Sequence, residues 1–226
     1  LTDYTETMVV FGLLNPTDTV QYIKINKAFL GENDALVMSG FFDSSNYVNN
    51  ELIVKLHKIV NGNITQTVSL IKETLVPKPV GVFSSPLQYL YKTNLPILQD
   101  GSEYKIDITN TVSGLSVTSK TKIVQNFFIT NPTSSQTVNF ISPVPFKIKW
   151  TSTNEGRLYD VVLRINYKET YVADPSQVAF KAIDMPLGNQ RSTSLTGGEV
   201  MTIDFEGESF YRFAGNNIFV NPSVNR

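Results

Sequence analysis

The chain has 226 residues, of which 41% are apolar and 17% charged, with a net charge of −1 and no cysteine. That balance is too apolar for a disordered chain and offers nothing to neutralise a row of phosphates, which argues against nucleic acid as a partner. The missing cysteines exclude disulfides, thiolate catalysis and zinc–thiolate sites.

The length allows one large domain or two of ordinary size, with a core that needs no covalent staple. No apolar run approaches the roughly 20 residues that span a bilayer. The chain opens at Leu1 without an initiator Met. A processed or trimmed product is therefore expected, with any export signal upstream.

Residues 8–14 and 20–30 read as strands joined by a turn at Asn15, Pro16, Thr17 and Asp18. Residues 31–50 read as a loop with a short apolar run at 35–38 and an aromatic tip holding Phe41, Phe42 and Tyr47. Residues 52–60 and 64–72 form a hairpin, because Asn61, Gly62 and Asn63 tolerate the positive φ its turn needs. Leu52, Val54 and Leu56 should point inward, and His57, on the parity of Lys55, outward to solvent.

Pro77, Pro79 and Pro86 then break the chain before a short strand at 88–91. A second hairpin, 103–111 with 115–124, turns around Val112, Ser113 and Gly114. Its first arm alternates cleanly, Tyr104, Ile106 and Ile108 inward and Lys105, Asp107 and Thr109 outward. The polar stretch 126–136 is the best domain boundary, which divides the chain into 1–126 and 127–226.

Beyond it, 138–141, 146–150 and 158–167 read as strands. In 157–168 (RLYDVVLRINYK), Tyr159, Val161, Leu163, Ile165 and Tyr167 share one parity over an unusual length. Residues 193–195 and 199–205 add further strands. Phe210, Phe213 and Ala214 then take the spacing of a short helix over 208–219, with Ser209 as its N-cap. The fold class is all-β: two β-sandwich domains, the second immunoglobulin or fibronectin type III-like with a late helix.

The runs VVFGLLNPTDTVQYIKINKAFLGENDA (9–35), GRLYDVVLRINYKE (156–169) and FEGESFYRFAGNNI (205–218) resemble a Bacteroidota surface lipoprotein family with a domain of unknown function, the domain of unknown function 4249 type. The resemblance covers most of the chain, and none of its motifs is a catalytic signature. It implies an exported precursor with a lipid-bearing cysteine upstream and a mature protein tethered at the outer membrane or cell surface. It also implies partners such as an outer-membrane transporter, or a surface glycan or protein, in a system accessory to nutrient uptake.

The chemical inventory is bare. His57 is the single histidine and stands without a second imidazole or a thiolate, so no transition-metal site is expected. Asp204 and Glu206, two apart on a strand, have the spacing of an inverting glycosidase pair, yet an ordinary wet face explains them more simply. Glu32, Asp34 and Asp43 are hard oxygen ligands without the spacing of a calcium loop. Gly114-Leu-Ser116 lacks the closing glycine of a nucleophile elbow, and Gly197-Gly198 leads into a strand rather than a phosphate-binding helix. Trp150, beside Phe146 and Ile148, reads as a core plug.

What remains are aromatics. Phe41, Phe42 and Tyr47 on the loop, and Tyr89 and Tyr91 on one strand parity, are the ligand-binding candidates; no catalytic residue, metal or cofactor is assigned. The leading expectation is a non-enzymatic region that binds protein or another ligand. The alternatives are a carbohydrate-binding module built on those rings and, further off, a glycoside hydrolase.

Overall fold

The computed structural model describes residues 5–28, 34–83, 86–93, 98–141 and 144–225. The chain is mostly β and every strand pairing is antiparallel. It divides into two compact units, Leu1–Ile123 and Val124–Arg226.

The first unit runs β1 (Thr7–Gly12), β2 (Tyr22–Ala28), α1 (Ala35–Ser39), α2 (Phe42–Ser45), β3 (Leu52–Val60), β4 (Asn63–Ser69), β5 (Ile71–Pro77), β6 (Leu87–Lys92), β7 (Glu103–Asn110) and β8 (Ser116–Lys122). One sheet has the order β1-β2-β6-β5 and the other β4-β3-β7-β8. Their inward rows meet in a single core. Ile23 and Ile25 of β2 and Tyr91 of β6 pack with Val54 and Leu56 of β3 and Tyr104 and Ile108 of β7. Alternation along each strand places one row in this layer and the other in water.

The second unit runs β9 (Ile129–Asn131), β10 (Phe146–Thr151), β11 (Leu158–Tyr171), β12 (Val178–Arg191), β13 (Val200–Phe205), α3 (Gly207–Asn217) and β14 (Val224–Asn225). Its sheets have the orders β13-β10-β9 and β12-β11-β14. The core is small: Trp150, Tyr159 and Met201, with Ile148, Val161 and Ile203 packed against them.

Several expectations need correction. The loop 31–50 contains two short helices. Asp34 caps the first, its carboxylate accepting from the N–H of Leu36 (2.7 Å) and Val37 (3.4 Å). The arm 64–72 is divided at Leu70 between two sheets, β4 pairing with β3 and β5 with β6. Residues 138–141 form no strand; instead Phe140 lies between Phe205 (5.5 Å, edge-to-face) and Phe210 (4.5 Å, stacked). Residues 193–195 form no strand either, whereas 178–191 is a long strand that the residue pattern does not announce. Helix α3 begins at Gly207 with Glu206 at its cap position, not at Ser209.

His57 keeps its outward parity but is buried, at 8% exposure. Its cross-strand neighbours Thr67 and Lys105 cover it, with Nδ1 2.7 Å from Thr67 Oγ1 and Nε2 3.2 Å from Asp107 Oδ2. Parity gives the face of the sheet; the bulk of the neighbours decides whether that face is wet.

Candidate functional site

The richest cluster of candidate residues lies where the connection between β2 and β3 meets the connection between β5 and β6. Ser39, the last residue of α1, is buried, and its hydroxyl donates toward Leu36 O (2.7 Å) and Val82 O (3.1 Å). That contact pins the α1–α2 segment to the Pro-rich connection 78–86. Pinned together, the two connections present Leu36, Val37, Phe41, Val80, Val82 and Phe83, each more than half exposed. Exposed large apolar residues on connections tied to each other make a candidate contact surface.

Beneath this surface the other candidates are locked into the fold. Phe42 meets Tyr89 edge-to-face at 4.8 Å and 84°. Lys72 places its ammonium 4.1 Å from the centre of the Tyr89 ring and donates to the carbonyls of Tyr47 (2.5 Å), Val48 (3.0 Å) and Asn49 (3.0 Å). Burial holds the Lys72 pKa below its ordinary value, with Glu51 acting in the opposite direction. Asn26 of β2 donates to Ser45 O (2.7 Å) and Asn46 Oδ1 (3.1 Å), while Asn46 donates to Phe42 O (2.8 Å). The loop is therefore braced by side chains from β2 and β5.

Tyr47 is buried at 3% exposure, and its hydroxyl donates to Glu6 Oε1 at 2.9 Å. Asn110, the last residue of β7, donates to the same oxygen at 2.9 Å. A hydrogen bond from Ser113 is the largest influence on Glu6. It holds the carboxyl below the ordinary carboxylate range; burial opposes it, and Asn110, Tyr47 and the charge of Lys27 reinforce it. Glu6 thus ties the segment before β1, the α2–β3 connection and the β7–β8 turn together.

Tyr91 belongs to the core, where burial, aided by Glu51, pushes its phenol pKa up to about 12. Of the five candidate aromatics, Phe41 alone is exposed. Phe42 and Tyr89 are half-buried and touch each other, and Tyr47 and Tyr91 are buried. Tyr89 and Tyr91 do share a parity, but it is the inner one, so they form no outward platform. Sequence reasoning alone misses Leu36, Val37, Val80, Val82 and Phe83. A signal for them exists: apolar residues inside a proline-broken connection have no strand parity to carry them into a core.

The remaining chemistry stays dispersed. Asp204 pairs with Lys147 (3.0 and 3.2 Å) on the wet face of β13, while Glu206 has left the strand for the position just before α3, where its side chain makes no capping hydrogen bond. Asp34 is spent as a helix cap, Asp43 lies in the first turn of α2, and Glu32 lies outside the described residues. Among the described residues no group of three His, Cys, Asp or Glu side chains converges. Gly114, Gly197 and Gly198 take positive φ in turns. A shallow depression of about 530 Å³ on the β11–β12 hairpin is lined by Asn166, Tyr167, Lys168, Phe180, Lys181 and Ala182, without a carboxylate.

Compared with known proteins, the chain matches no protein-family model, no curated protein and no solved structure.

Proposed function

We propose that the chain is a non-enzymatic binding region of a surface-tethered lipoprotein, and that its first unit is an immunoglobulin-like scaffold that offers an apolar loop end to a protein partner. The carrying observation is the exposed surface of Leu36, Val37, Phe41, Val80, Val82 and Phe83 on braced loops.

The scaffold reading is supported by strand order. Lettered along the chain, β1-β2-β6-β5 is A-B-E-D and β4-β3-β7-β8 is C′-C-F-G, the two sheets of an immunoglobulin-like sandwich. Tyr104, second residue of the F-like strand, accepts the N–H of Gln99, five residues upstream, at 2.8 Å, as in a tyrosine corner. In the second unit β9-β10-β13 and β12-β11-β14 follow the A-B-E and C′-C-F orders, which supports a related plan there. Tyr159 accepts the N–H of Thr153 at 2.8 Å in a comparable brace.

The lipid anchor, the outer-membrane or cell-surface location and a transporter as partner rest on the family resemblance of 9–35, 156–169 and 205–218. A protein partner is favoured over a sugar because Tyr89, the best stacking ring by position, is already engaged by Lys72 and Phe42.

The test is a photoreactive phenylalanine analogue placed at Val82 in the producing cells, with exposed Thr65 of β4 as control. A dominant adduct from position 82, lost in the Phe41→Ser/Phe83→Ser variant, is expected. Equal adducts from both positions, or none from position 82, would overturn the reading. A strong glycan-array signal abolished by Phe42→Ala would replace it with the carbohydrate-binding alternative, and hydrolase turnover by the pure chain would replace it with the enzymatic one.

A further inference from the structure

Tyr159 and Val161 of β11 enter the core of the second unit, so Arg164, Asn166 and Lys168, on the other parity, form its outer row, and all three are exposed. The register sets them against Asp184, Ala182 and Phe180 of β12. Cross-strand partners share a face. The outer face of the hairpin is therefore a ladder of three rungs, Arg164–Asp184, Asn166–Ala182 and Lys168–Phe180.

This ladder accounts for the depression of about 530 Å³. Its lining is the rungs Asn166–Ala182 and Lys168–Phe180, with Tyr167 and Lys181 between them. Tyr167 and Lys181 have the inner parity, so they supply the main-chain floor. Neighbouring rungs stand about 6.8 Å apart, two residues along each strand. Ala182 is short, and the long side chains of Lys168 and Phe180 rise beside it as a wall. The hollow lies on the face of the sheet, so strands paired along the edges of the hairpin leave it in place. Its size falls within the roughly 300–1,000 Å³ of small-ligand sites.

Its chemistry is selective. Phe180 is 83% exposed, with a ring face turned to solvent from the middle of a strand. The neighbouring cations are matched: Asp184 holds Arg164 at 2.7 Å on both arms, and buried Glu169 holds Lys181 at 2.7 Å. Among the described residues Lys168 has no acidic partner. Asn166 adds an amide that both donates and accepts. A pyranose that carries a carboxylate uses all three: its C–H face lies on the Phe180 ring, its hydroxyls meet Asn166, and its carboxylate meets the Lys168 ammonium. An acidic peptide fits less well, because a sheet face offers no unpaired main-chain groups for it to extend.

We propose that this hollow binds a uronate residue of an acidic polysaccharide, as a site separate from the apolar loops of the first unit. The test is titration of the ¹⁵N-labelled chain with hexagalacturonate, followed by amide shifts. The fully methyl-esterified hexamer and a glutamate hexapeptide are the comparisons. Shifts centred on residues 166–168 and 180–182 are expected, with millimolar affinity for the acid. The ester should bind roughly threefold more weakly, since an exposed ion pair contributes little, and the peptide more weakly still.

Phe180→Ala removes a side chain that is already in solvent and is expected to weaken binding roughly tenfold with an unchanged circular dichroism spectrum. Lys168→Gln is expected to bring acid and ester to one affinity. Phe42→Ala should bind as wild type does, which separates this site from a sugar site in the first unit. Absence of binding, shifts confined to other residues, a peptide that binds as well as the acid, or a folded Phe180→Ala variant with wild-type affinity would each overturn the proposal. The comparison of acid with ester needs no variant, and equal affinities there would overturn it as well.

Discussion

Replacing Gly207 by Ala should destabilise the second unit, although it adds a better helix former. Gly207 opens α3 directly over the backbone of Phe140: an added Cβ would lie 1.8 Å from Phe140 O and 2.6 Å from its carbonyl carbon. The obstacle is main chain, which cannot rotate away as a side-chain tip does. Phe140 is itself fixed by its ring's contacts with Phe205 at 5.5 Å and Phe210 at 4.5 Å. Two effects compete. Ala in place of Gly in a helix gains at most about 1 kcal/mol, while forcing an extra carbon into a filled space costs about 1–3 kcal/mol, occasionally more. The clash is far inside contact distance, so the upper part of that range applies, and a net loss of about 2 kcal/mol is expected after the helix gain is subtracted.

Trp150 is the single tryptophan and is buried in this unit, so its fluorescence reports unfolding here rather than in the first unit. With a urea dependence of roughly 1–2 kcal/mol per molar for a domain of this size, the midpoint should fall by about 1–2 M. Gly12→Ala in β1 of the first unit, followed by circular dichroism because Trp150 does not report on that unit, is the control. Its Cβ would meet the Cδ1 end of Ile23 at 2.4 Å, a flexible tip that turns aside. A midpoint for Gly207→Ala equal to or above wild type would refute the reasoning, because the helix would then have moved off Phe140 at little cost.

Two further outcomes concern the braced loops of the first unit. Glu6→Gln should lower its stability by about 1 kcal/mol at neutral pH, a value kept small because the carboxylate is partly exposed. Because hydrogen bonds depress the folded pKa of Glu6, its contribution is complete above the unfolded value of about 4.3 and is lost as pH falls through the folded pKa. Urea midpoints by circular dichroism should therefore fall below about pH 4 in wild type and fall less steeply in Glu6→Gln; parallel curves would discount the brace. Lys72→Met removes the donor shared by the carbonyls of Tyr47, Val48 and Asn49. It should cost about 1–3 kcal/mol and speed amide exchange in residues 46–50, and unchanged exchange there would count against Lys72 as the clamp.

Much of the strand content is legible in the residues because burial on one face imposes a period of two. β3, β7, β10 and the first part of β11 follow from that alternation. β12 is not legible because VAFKAIDMPLGNQR contains two residues that normally end a strand. The structure uses both inside it: Pro186 sits at the irregularity in the β11 pairing, and Gly188 follows with φ 109°. The start of α3 is obscured for a different reason. Ser209 has the chemistry of a cap, but close packing of Gly207 on Phe140 fixes where the helix begins, and that contact joins residues far apart in sequence.

The candidate site shows the same division between local pattern and tertiary contact. Phe41 and Tyr47 share a loop and both have the character of ligand-facing rings, yet one is exposed and the other buried. The difference lies in the hydroxyl. Tyr47 finds the Glu6 carboxylate, already bonded by Asn110, so its burial leaves no polar atom unmet. Its ring then lies within 5.8 Å of the Lys27 ammonium. Phe41 has no polar handle to draw it inward and stands between two short helices. Aromatic character alone therefore does not mark a contact residue in this fold. On the proposed reading, what marks it is an apolar side chain on a braced connection that no strand parity and no polar partner carries into the core. Val80 and Val82 meet that criterion as fully as Phe41 does.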